Sequence, residues 1–113
     1  MTDRDRILAA FKKLRQQGYI ARTNYLCCGS CGHDACKRTA KERNKRGYVF
    51  WHRQEETMAW CGRTHSRLIE AGLYLQWSGD AGEICSTLSS VGLAASWDND
   101  PESAILIQHK SKA

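Results

Sequence analysis

Three glycines punctuate this chain in the same way. Each closes a stretch of helical periodicity and hands over at once to a stretch of strand character: Gly18-Tyr19, Gly72-Leu73 and Gly92-Leu93. Glycine suits the position after a last helical turn because positive φ costs it little. A chain that alternates helix and strand in this manner buries its apolar faces by packing helices on a sheet. Gly72-Leu73 to Trp77 and Gly92-Leu93 to Trp97 match at equal spacing. Two such matches are shared local geometry and not a repeat array. At 113 residues the chain is expected to form one domain, 1–113.

The elements between the glycines follow from periodicity. Ile7, Leu8, Phe11 and Leu14 form one apolar stripe, which predicts a helix from Thr2 to Gln17 capped by Thr2 or Asp3. Tyr19–Leu26 is expected to be a strand. Tyr48–Arg53 is the strongest strand signal and is expected to pair with it antiparallel. Gln54 to Ala71 carries Met58, Cys61, His65, Leu68 and Ile69 near helical spacing, which predicts a helix. Leu73–Trp77 alternates apolar and polar residues as a half-buried strand does. Asp80 and Glu83 resemble a capping pair before the stripe Ala81, Ile84, Cys85, Leu88 and Val91. Leu93–Trp97 and Ala104–Gln108, joined through the Asx-and-proline turn Asp98-Asn99-Asp100-Pro101, read as a hairpin. The expected fold class is α+β: a mixed sheet of about five strands packed by two or three helices.

The chemistry concentrates in one place. Cys27, Cys28, Cys31, His33 and Cys36 fall within ten residues. Cys28-x-x-Cys31 followed by Gly32 has zinc-knuckle spacing, in which a tight turn aims two thiolates at one metal. A structural zinc needs a second ligand pair. His33 with Cys36 would make a compact local site, His52 could reach in from the neighbouring strand, and Cys61-x-x-x-His65 lies at i, i+4 of the expected helix. The favoured set is Cys28, Cys31, His33 and Cys36. The bland alternative is a group of small buried thiols beside satisfied histidines, and for Cys85, on its apolar stripe, that alternative is expected to hold.

A basic run follows immediately. Lys37, Arg38, Lys41, Arg43, Lys45 and Arg46 stand against only Glu42, a net +5 that equals the formal charge of the whole chain. It is expected as a turn of polar helix or a solvated loop. Such a cluster contacts phosphates of nucleic acid or an acidic protein, and Tyr25, Tyr48, Trp51 and Trp60 are candidates for base stacking.

Other classes are poorly supported. No Gly-rich phosphate loop, Ser–His–Asp grouping or apolar carboxylate pair is present, so no catalytic residue is assigned. Glu55 and Glu56 beside His52 are ordinary helix-dipole partners. No apolar run is long enough to span a bilayer, and the N-terminus lacks a signal-peptide core, which points to the cytoplasm. Thiols there stay reduced, favouring metal or redox chemistry over structural disulfides.

From Tyr19 onward the sequence resembles a bacterial domain family of unknown function. The motifs that carry the resemblance are Cys27–Gly32 (Cys-Cys-x-x-Cys-Gly), Gly47–His52 (Gly-Tyr-Val-Phe-aromatic-His), Leu73–Leu75 and Gly92–Asp98. The resemblance implies a shared fold and no established activity. Its pattern does not include Cys36, Cys61 or His65, and it leaves Cys28, Cys31 and His52 as the shared group. The expected function is a non-enzymatic cytosolic interaction module, zinc-stabilised, that binds nucleic acid through the basic run. The alternatives are a regulatory or inhibitor protein docking on an acidic partner, and a thiol redox protein using Cys28 and Cys31.

Overall fold

The structure is a computed structural model of the chain and describes residues 2–23, 29–61, 67–68, 71–100 and 103–109. The first helix, α1 (Asp3–Gln16), starts where the sequence says it should. The Thr2 side chain accepts from the Asp5 N–H at 3.1 Å, and the Asp5 carboxylate accepts from the Thr2 N–H at 3.0 Å, a reciprocal capping box. That backbone hydrogen bond, ahead of the one from the Thr2 hydroxyl, holds the Asp5 carboxyl below its ordinary pKa. Ile7, Phe11 and Leu14 are fully buried, each burial contributing about 1.5–3 kcal/mol. Gly18, at φ +100°, then turns the chain into β1 (Tyr19–Arg22).

The remaining elements are α2 (Gly29–Glu42), β2 (Gly47–Phe50), α3 (Arg53–Met58), β3 (Trp60–Cys61), β4 (Arg67–Leu68), β5 (Leu73–Ser78), α4 (Ala81–Ser90), β6 (Leu93–Ser96) and β7 (Ile105–His109). Five strands form one mixed sheet in the order β1-β2-β5-β7-β6, so the fold is α+β as expected. β6 and β7 form the expected antiparallel pair, with Leu93 opposite His109. Asn99, at φ +69°, supplies the left-handed residue in the turn before β7.

The two faces of the sheet differ. α1 and α4 cover one face, burying Ile84 and Leu88 with Val49, Trp51, Leu75 and Ile107. α2 covers the other face over β1, β2 and part of β5, where Cys36 packs with Ile20, Tyr48 and Phe50. Strand alternation makes this division: Tyr19 and Ala21 join the larger core while Ile20 joins the smaller. Gly32 lets α2 approach closely. A Cβ there would collide with the Phe50 ring.

Three expectations need correction. β1 and β2 pair parallel, Tyr19 opposite Gly47 and Arg22 opposite Phe50. The reason is α2, a helical crossover that returns the chain to the end from which β1 began. The expected helix Gln54–Ala71 is a short helix, α3, followed by the antiparallel pair β3–β4. Its apolar residues serve different partners: Trp60 and Leu68 enter the main core, while Met58 is exposed. Finally, Cys31 and Gly32 lie within a helix and not in a tight knuckle turn.

Buried polar groups tie the ends together. Asp3 is only 4% exposed; it accepts from the Leu68 N–H at 2.9 Å and pairs with His109 Nδ1 at 2.8 Å. Arg4 donates to Glu56 from both terminal guanidinium nitrogens, at 2.8 and 3.2 Å, and lies 5.1 Å from the Trp60 ring centroid. Among the described residues no helix is long and apolar enough to cross a membrane.

Candidate nucleic-acid interface

The basic run is helical over its first half. Lys37, Arg38 and Lys41 are exposed on α2, because Cys36 and Ala40 take the inward positions four residues apart. Asn44 ends the helix. It sits at φ +55°, its N–H reaches Lys41 O at 3.4 Å, and the Lys45 N–H reaches Ala40 O at 2.8 Å, a Schellman closure. The closure sends Arg43, Lys45 and Arg46 back toward β1.

There they meet cations from other elements. Arg15 of α1, Arg22 of β1, Arg43 and Lys45 line a groove of about 330 Å³, floored by Tyr19, Ile20 and Ala21. None of the described residues lining it is acidic. β1 is the edge of the sheet, and Arg15 fastens onto that edge. Its Nε and one terminal nitrogen donate to Ala21 O at 3.2 and 2.7 Å. The guanidinium has five N–H donors in a fixed fork, so others remain to face the groove. Converging cations attract a polyanion. Each pair at about 4 Å is worth about 1 kcal/mol in water and more where the walls exclude it.

Arg46 has a different role. It forms a bidentate pair with Glu83, one arm at 2.7 Å, and stacks 5.1 Å from the Tyr19 ring centroid. The hydrogen bond to Glu83 raises the Arg46 pKa further above its ordinary value. Tyr19 is itself anchored there, its hydroxyl accepting from the Asp80 N–H at 3.3 Å, while burial raises its pKa. Arg46 therefore joins α4 to β1, and Glu83 offsets its charge. The sequence-based set retains Lys37, Arg38, Lys41, Arg43 and Lys45 as outward cations and gains Arg15 and Arg22. Those two lie 28 and 21 residues before Arg43 in the sequence, and only the fold brings them to it.

Three of the aromatic residues expected to stack, Tyr48, Trp51 and Trp60, are buried. Trp51 is fully buried, and Trp60 and Tyr48 are 6% and 7% exposed. Tyr25 lies outside the described residues. Strand alternation and the apolar core account for the buried three, which serve packing. This corrects the stacking expectation for Tyr48, Trp51 and Trp60.

The proposed metal ligands divide. His33 bonds through Nδ1 to the Tyr48 hydroxyl at 2.7 Å and through Nε2 to Gln76 Oε1 at 3.0 Å. Both ring nitrogens are therefore occupied. Cys36 is 1% exposed, and burial pushes its thiol pKa up to about 11, the opposite of what a thiolate ligand needs. His52 caps α3, its Nδ1 accepting from the Glu55 N–H at 3.4 Å. Cys31 lies in the first turn of α2, and Cys27, Cys28 and His65 lie outside the described residues. Among the described residues no three His, Cys, Asp or Glu groups cluster to hold a metal. His33 and Cys36 thus each have a packing role of their own between α2 and the sheet. Cys85 is half-buried against the main core, as its stripe implied.

No curated protein and no solved structure matches this chain. Residues 1–111 match the family described as Domain of unknown function (DUF6891), and the chain belongs to that family.

Proposed function

We propose that this protein is a non-enzymatic cytoplasmic module that binds nucleic acid through its phosphates. The observation that carries the proposal is the convergence of Arg15, Arg22, Arg43 and Lys45 on one groove beside the sheet edge. Lys37, Arg38 and Lys41 extend the positive surface along the exposed face of α2. With Tyr48, Trp51 and Trp60 in the core, base stacking by these rings has no part in the binding. Phosphate contacts carry affinity without reading sequence, so similar affinity is expected for unrelated duplexes. A mobility-shift titration at low salt tests this. The wild type shifts unrelated duplexes at similar concentrations, and an R43E/K45E variant shifts none. Absence of any shift by the wild type refutes the proposal. In that event, retention of an acidic protein after nuclease treatment would favour the regulatory alternative.

A second reading has its own observation. Cys31, the second cysteine of Cys28-x-x-Cys31, lies in the first turn of α2, which connects two parallel strands, and a helix N-terminus lowers a thiol pKa. In this reading the two thiols become one disulfide, giving two electrons and two protons to a disulfide substrate that leaves as two thiols. A reversible two-electron midpoint, lost in a Cys31→Ser variant, supports it. Thiols that stay reduced across the glutathione range refute it.

A further inference from the structure

The sheet has two edges, and they are treated differently. The β1 edge is guarded, since Arg15 occupies the Ala21 carbonyl and cations surround it. Natural sheets blunt exposed edges in this way, with charge laid across unpaired backbone. The β6 edge carries no such guard. Leu93-Ala94-Ala95-Ser96 has no charge and no proline, and no described strand pairs with its outer side. Ala94 and Ala95 are half-buried and small, which lets another backbone approach.

Charge is distributed unevenly along that edge. At its entry, Arg6 donates to Val91 O at 2.9 Å and Lys13 Nζ lies 3.4 Å from Ser90 Oγ. Just beyond its exit come Asp98 and Asp100, both exposed. A second copy running antiparallel would set the cationic entry of each chain against the acidic exit of the other, on both sides of a two-fold axis. A parallel arrangement would set like against like. Self-complementarity of this kind is what an isologous interface requires.

We infer that β6 is a self-association edge, on which a second copy of this chain adds antiparallel and makes one sheet continuous through both. The contact is short, so the dimer forms with rising concentration and is not permanent.

Light scattering across a concentration series, combined with amide hydrogen exchange, tests this. The mass rises from 12.8 kDa toward twice that value, and exchange at Ala94, Ala95 and Ser96 slows with it. Ser96 is exposed, so substitutions there spare the monomer fold. Ser96→Lys faces the partner's cationic entry and weakens association about tenfold, whereas Ser96→Glu strengthens it. Three outcomes overturn the inference: one-chain mass at every soluble concentration, a dimer whose β6 amides exchange as in the monomer, or equal effects of the two Ser96 variants.

Discussion

Replacing Gly32 with alanine sets two effects of known size against each other. Within a helix, alanine is favoured over glycine by about 1 kcal/mol. At this position the added methyl would fall inside the van der Waals shells of Phe50 Cε2 and Cζ, with Cδ2 at 3.1 Å. Comfortable carbon contacts lie at about 3.5–4.0 Å, so the overlap exceeds an ångström at the nearest atoms. Phe50 cannot retreat. It is fully buried, with the His33 ring at 5.3 Å and the Tyr48 ring at 6.1 Å, centroid to centroid. The helix must lift from the sheet, and such overpacking costs about 1–3 kcal/mol or more. An overlap of more than an ångström against a fixed ring puts the cost at the upper end of that range, so the clash outweighs the propensity and leaves a net loss of about 2 kcal/mol. Gly82→Ala in α4 is the control. Its Cβ would lie 3.3 Å from the Asp80 Oδ1 that caps the Glu83 N–H, a contact relieved by a few tenths of an ångström with no buried ring behind it, so the change costs much less than at Gly32. Urea denaturation followed through buried Trp51 and Trp60 measures both variants. A Gly32→Ala protein as stable as the wild type would refute the packing of α2 on Phe50, and with it the placement of the basic surface.

The other predictions concern single groups. Asp3→Ala strips the acceptor from the buried Leu68 N–H and should destabilise by about 1–3 kcal/mol, while Asp3→Asn, which keeps an acceptor, costs less; denaturation curves of the pair decide. Burial raises the Cys36 thiol from its ordinary 9.0 to about 11, so the fold favours the neutral form. That stabilisation is complete below pH 9 and is lost as pH rises through 11, a decline of about 2–3 kcal/mol. Denaturation against pH should show it, and a Cys36→Ala variant should show a shallower alkaline decline. His33→Ala should cost stability, because Tyr48 and Gln76 lose their partner, yet leave metal content unchanged. Elemental analysis of the tag-free variant checks this, and zinc lost with His33 would restore that residue as a ligand.

Where the sequence carried a strong period or cap, the structure follows it. Thr2 and the Ile7–Phe11–Leu14 stripe define α1, Asp80 defines the start of α4, and the five expected strands form the sheet. α2 was not legible as a full helix because its inward face is made of small or polar residues: Gly32, His33, Cys36 and Ala40. The periodicity of a conventional apolar stripe is missing, although Asn44 was a usable stop signal. Without α2 in view, the parallel direction of β1 and β2 had no cause. The groove was half legible. The basic run showed in the charge count, but Arg15 and Arg22 join it through tertiary packing, and Arg46 leaves it because Glu83 lies across the fold.

The most direct test of phosphate binding at the groove is the salt dependence of duplex affinity. Fluorescence anisotropy gives the binding constant over a series of salt concentrations, for the wild type and for Arg43→Ala and Lys45→Ala separately. Each phosphate contact contributes about −0.9 to the slope of log K against log salt. The account predicts a steep wild-type slope that falls by about 0.9 in each variant, with unrelated duplexes behaving alike. A wild-type affinity indifferent to salt, or slopes unchanged in both variants, would contradict it.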